Sequence, residues 1–137
     1  MTTIKRTLPS PVWLEQAVKF LSVGVLNTAL DASLYFALTR CLGFSTLQTL
    51  AKGISYGAGI LNSFFWNKSW TFKSDASTLT TFVPFALANL AGLAINAGAM
   101  HICLNALSLH EIPSLALATG TSLSWNFIAS KVFIFKT

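Results

Sequence analysis

Charge is what this 137-residue chain has least of. Nine Lys and Arg and four Asp and Glu make up only 9% of it. A water-soluble domain carries about a quarter charged residues, so the shortfall, with 53% hydrophobic residues and a mean hydropathy of +0.63, points to lipid as the solvent. Cysteine is scarce too. Cys41 and Cys103 lie in apolar stretches, and neither has a Cys/His set at metal-ligand spacing, so they read as core residues and no metal or other cofactor is expected. His101, His110 and Glu111 have no nucleophile, metal set or phosphate loop beside them, so an enzyme is not expected, and neither is nucleic acid as a partner. A membrane barrel would need apolar and polar residues alternating over about ten positions, eight times or more. No such alternation occurs, and in lipid helices remain as the way to satisfy the backbone internally.

What is present is a set of four apolar stretches, each close to the roughly 20 residues that cross a bilayer core. They run over about 20–40, 47–67, 82–105 and 112–133. The first contains Asp31, the second Lys52 and the third no formal charge. The fourth has Pro113 where a first helical turn tolerates proline. The first stretch is longer than a signal-peptide core and lacks a convincing cleavage site, so it reads as a retained helix. Residues 1–19 then form a cytoplasmic N-terminal segment, and 20–137 a single four-helix membrane domain.

Basic residues set the orientation. Lys5, Arg6, Lys19, Lys68, Lys73, Lys131 and Lys136 fall on one side, against Arg40 and at most Lys52 on the other. Both termini are therefore expected in the cytoplasm, in a multi-pass protein of the cytoplasmic (inner) membrane. Asn67-Lys68-Ser69 matches a glycosylation sequon but would face the cytoplasm, so it is discounted.

The chain also repeats itself. At an offset of 63, Phe64, Lys68, Trp70, Phe72 and Lys73 pair with Phe127, Lys131, Phe133, Phe135 and Lys136. At an offset of 62, FLSVGVLN (20–27) pairs with FVPFALAN (82–89). The expected fold is thus all-α and integral to the membrane, with four transmembrane helices arranged as two hairpin repeats of the same orientation.

KFLSVGVLNTALD, NSFFWNKSWTFK and WNFIASKVFIF, set in four spans, resemble the GtrA-like family of small bacterial membrane proteins over Lys19 to Lys136. The resemblance implies movement of polyprenyl-phosphate-linked sugars across the cytoplasmic membrane for cell-surface polysaccharide synthesis or modification, with a glycosyltransferase as a further partner. The family often has Arg where this chain has Lys68, which removes a bidentate phosphate fork.

For such a ligand the residues offer cations at Lys68, Lys73, Lys131 and Lys136, and aromatic faces at Trp66, Trp70, Phe72, Phe133 and Phe135. Together, Lys68 and Lys131 are expected to flank one lipid phosphate. Lysines beside aromatics are equally what membrane anchoring produces. Within the spans, polar and small residues recur at helical spacing: Gly24, Asn27 and Asp31; Lys52, Ser55, Gly59 and Asn62; Asn89, Gly92 and Asn96; Ser122, Asn126 and Ser130. These stripes serve either as packing contacts or as a polar path. Asp31 needs compensation, because a charge near mid-membrane costs about 2.5–3.5 kcal/mol. Lys52 sits at a depth within roughly 6 Å of it, so an ion pair is expected, either structural or in contact with a headgroup. A lipid-presenting scaffold for a glycosyltransferase and a small proton-coupled transporter using Asp31 are the alternative functions. Four short helices enclose little space for a sugar headgroup, which favours a homo-oligomer.

Overall fold

The computed structural model describes residues 11–137, and among these every regular element is helical. Lys5, Arg6 and the first half of the expected N-terminal segment lie outside the described residues. Four α-helices follow one another: α1 (Pro11–Phe36), α2 (Gln48–Trp66), α3 (Thr78–His101) and α4 (Glu111–Ile128). They form two compact units, Met1–Lys73 and Ser74–Thr137. In the first unit α1 packs along α2, and in the second α3 packs along α4.

Within the described residues α1 covers Pro11–Phe36, so Lys19 lies inside this helix. The Glu15–Lys19 ion pair, one turn apart at 2.5 Å, supports the helix there.

All four helices end alike. Each continues into a π turn: Ala37–Cys41, Asn67–Thr71, Ile102–Ala106 and Ala129–Ile134. The closing N–H groups of Leu42, Phe72, Leu107 and Phe135 bond the carbonyls of Ala37, Asn67, Ile102 and Ser130 at 3.2, 2.9, 3.1 and 2.8 Å. Left-handed residues follow at Gly43 (φ 79°), Lys73 (48°), Ser108 (50°) and Lys136 (53°). Of these four only glycine takes that conformation freely. This closure uses terminal carbonyls that would otherwise need water. The matching acceptors Asn67 and Ser130, donors Phe72 and Phe135, and left-handed Lys73 and Lys136 all stand at the offset of 63.

The second helix of each unit buries a stripe of mostly small residues. α2 and its π turn bury Ala51, Ser55, Gly59, Ser63, Asn67 and Thr71, every fourth residue. α4 and its π turn bury Ser114, Ala118, Ser122, Ser130 and Ile134 on the same spacing. A fourth-residue stripe drifts about 40° per step around a 3.6-residue helix. The wider π turn offsets part of that drift and keeps the last two members on the buried side. Small side chains on such a stripe let neighbouring backbones approach.

The outer surface is apolar. Along α1, Val12, Leu14, Val18, Leu21, Val25 and Leu26 are all exposed, far more than an isolated soluble helix leaves uncovered. Hydroxyls on these helices are turned onto their own backbones: Ser22 bonds the Val18 carbonyl, Thr28 that of Gly24, and Thr121 that of Leu117. Val12–Cys41 and Thr78–Ala106, at mean hydropathies of 1.4 and 1.6, are long and apolar enough to cross a membrane. α2 and α4 are long enough with their π turns, but their polar stripes make them less apolar.

Candidate functional site: a polar ladder between α1 and α2

α1 and α2 run antiparallel, so residues one turn apart on α1 meet residues progressively earlier on α2. Nearest the loop that joins the helices, Asp31 uses both carboxylate oxygens. One accepts from Lys52 Nζ at 2.5 Å and the other from Ser55 Oγ at 2.6 Å. The pair is not sealed, since the Asp31 side chain is 22% exposed and that of Lys52 56%. One turn back along α1, Asn27 Oδ1 accepts from Asn62 Nδ2 at 2.7 Å. Two turns further, the Lys19 ammonium lies 5.4 Å from the centre of the Trp70 ring, with Phe20 against Phe72 beside it at 6.3 Å. At the other end Arg40 stacks over Phe36 at 4.8 Å. Lys19 to Arg40 spans roughly 30 Å at helical rise, about the thickness of a bilayer core. The hairpin thus carries cation, amide pair and ion pair in sequence, with a second cation at the far end.

The π turn of α2 adds a buried chain within the same helix. Asn67 Nδ2 donates to Ser63 Oγ at 3.1 Å, and Thr71 Oγ1 donates to Asn67 Oδ1 at 2.9 Å. Asn67 is thereby occupied by structure, while Lys68 beside it is half-buried and Trp66 and Trp70 are exposed in an edge-to-face pair at 6.1 Å.

Across the α3–α4 contact the polar partners are uncharged. Asn96 Nδ2 approaches Ser122 Oγ at 3.4 Å, and Trp125 Nε1 donates to the Ala88 carbonyl at 3.0 Å. Gly92 faces the Asn126 amide so closely that a Cβ there would lie 2.8 Å from Nδ2. Among the described residues no donor reaches the buried Asn126 Oδ1. Asn89 turns to the Phe85 carbonyl of its own helix at 2.9 Å, one turn back. Lys131 is half-buried and donates to the Thr137 backbone oxygen at 3.1 Å, and Lys136 is exposed.

Of the expected site residues, Asn27, Asp31, Lys52 and Asn62 come together in one hairpin, and Asn126 lies against Gly92 in the other. Phe133 is exposed, as a ligand-stacking ring must be. Phe72 is only 3% exposed, and its ring packs on Phe20, so it belongs to the core. Lys19 was legible in the sequence only as a topology signal. Its place over Trp70 follows from extending the antiparallel register of Asn27–Asn62 by two turns.

Among the described residues every regular element is helical and the exposed helix faces are largely apolar, which defines a small helical membrane protein. The chain belongs to the GtrA/DPMS transmembrane-domain family, whose model matches residues 19–135. It is also 32% identical over 121 residues to the uncharacterized membrane protein YngA of Bacillus subtilis (strain 168), an alignment covering 85% of this chain and 77% of that one. Membership links the chain to the handling of polyprenyl-phosphate sugars at a membrane, in a family that is generally non-catalytic.

Proposed function

We propose that the chain crosses the cytoplasmic membrane four times, as two duplicated hairpins with both termini in the cytoplasm, and moves a polyprenyl-phosphate-linked monosaccharide between leaflets. The observation that carries this reading is the ladder of Lys19, Asn27–Asn62 and Asp31–Ser55–Lys52. A sugar headgroup loses its hydrogen bonds to water as it enters the apolar phase, and amides and a half-open ion pair supply replacements at successive depths. Lys68 and Lys131, each in the π turn that ends the second helix of its unit, offer ammonium groups to phosphate at the cytoplasmic boundary. The matching π turns and left-handed lysines support the duplication, and the bias of basic residues supports the orientation.

Reporters fused after Thr137 and within 74–81 are expected on the cytoplasmic side, and one at His110 outside. A reporter next to Lys73 found outside would reverse the orientation. The function is tested in liposomes carrying polyprenyl-phosphate sugar, by following its exposure on each leaflet. The expected result is protein-dependent equilibration, slowed in Lys68→Gln and Lys131→Gln by about fivefold each, the effect of one basic residue near the surface. Binding without any leaflet movement would identify a lipid-presenting scaffold instead.

A further inference from the structure

Beside the ladder, the α1–α2 hairpin holds a shallow open groove of about 470 Å³, inside the roughly 300–1,000 Å³ usual for small-molecule sites. Leu14, Val18 and the Trp70 ring give it apolar walls, and Glu15, Lys19 and Ser22 bring polar groups into it. The two charged residues differ in exposure. The Lys19 side chain is 17% exposed and set between the Trp70 face and the Glu15 carboxylate, whereas that of Glu15 is 59% exposed. Among the described residues Glu15 has Lys19 as its ion-pair partner, and Lys73 adds positive field nearby. The cation is thus largely enclosed, while its carboxylate partner lies exposed at the groove's edge.

An enclosed ammonium with an exposed counter-ion, at the head of hydrocarbon walls, matches a phosphate ester on an apolar chain. We infer that this groove is the loading site for the lipid phosphate and that Glu15 is an internal counter-ion which the ligand displaces from Lys19. The ligand's identity rests on the reading given under Proposed function. The phosphate takes the place of Glu15 in a charge-assisted contact with Lys19, and the first prenyl units lie along Leu14 and Val18. The released carboxylate is then an acceptor for sugar hydroxyls. Because Glu15 occupies Lys19 in the free protein, it lowers the apparent affinity by the fraction of time it is bound.

The two residues thus have opposite expected effects, which membrane anchoring does not produce. The test is binding of farnesyl phosphate to the full chain in phosphatidylcholine nanodiscs, with farnesol and inorganic phosphate as controls for the apolar chain alone and the anion alone. Farnesyl phosphate is expected to bind saturably and both controls at least about tenfold more weakly. Glu15→Gln is expected to tighten binding, and Lys19→Gln to weaken it, by about fivefold each, with Lys19→Arg close to the parent. Unchanged or weaker binding in Glu15→Gln overturns the inference, as does parental binding by a correctly inserted Lys19→Gln. If Lys19→Gln fails to insert, the sign of the Glu15→Gln effect decides alone. The readout needs neither sugar nor transport. The expected binding pattern without leaflet movement retains the loading site and rejects translocation, whereas movement with parental binding in both variants does the reverse.

Discussion

Lys52→Ala is expected to lower the yield of folded protein sharply, because it leaves the Asp31 carboxylate with Ser55 as its remaining partner inside an apolar phase. An uncompensated charge at that depth costs about 2.5–3.5 kcal/mol, on the order of a hundredfold in the ratio of folded to unfolded protein. Asp31→Ala strands the Lys52 ammonium instead. Its long stem lets that group reach toward the interface, so the loss is smaller. Asp31→Ala with Lys52→Ala removes both charges and is expected to recover much of the folded yield. Transport of lipid-linked sugar should stay low in the double variant if the charges handle the headgroup. Unfolding midpoints in detergent for the four proteins close the cycle, and additive single effects would contradict the contact.

The second large effect is steric. At Gly92 even a Cβ would lie 2.9 Å from Asn126 Cγ and 2.8 Å from Nδ2, closer than real side-chain contacts allow. Gly92→Leu must push α3 and α4 apart, and a loss of about 1–3 kcal/mol or more is expected. Gly92→Ala is milder, because the Asn126 amide can rotate away. Adding Asn126→Ala to it opens the needed space and removes a buried acceptor that no donor reaches among the described residues, so the double variant should regain the parental unfolding midpoint. A Gly92→Leu protein as stable as the parent would mean that the two helices do not meet at this point.

The four helices and the pairing of Asp31 with Lys52 were legible in the sequence because both follow from periodicity and rise per residue, whereas the Ser55 bond to the same carboxylate was not read. Asp31 and Lys52 are at similar depths on consecutive helices, and a lone charge in an apolar run demands a counter-charge. That Lys19 lies inside α1 was not legible, because a basic residue serves equally as a membrane-edge marker and as an interior residue of a longer helix. Whether an aromatic of the repeated motif faces inward was also hidden. Phe72 and Trp70 are large aromatic residues two positions apart, yet the first packs on Phe20 and the second stays exposed. The π turns themselves leave little trace in composition. Their clearest sign is positional: Lys73 and Lys136, both left-handed, end equivalent stretches.

The central claim is that the α1–α2 ladder carries the sugar headgroup, and its middle rung offers the most direct test. Asn27→Leu with Asn62→Leu removes both partners of one hydrogen bond at once and strands neither, a change that is close to neutral for folding. The measurement is the rate at which polyprenyl-phosphate sugar changes leaflets in liposomes containing this variant, compared with the parent at equal reconstituted amounts. A correctly folded variant that is at least about tenfold slower, equivalent to 1.4 kcal/mol on the barrier, is the predicted result. A parental rate from the folded variant would contradict the account.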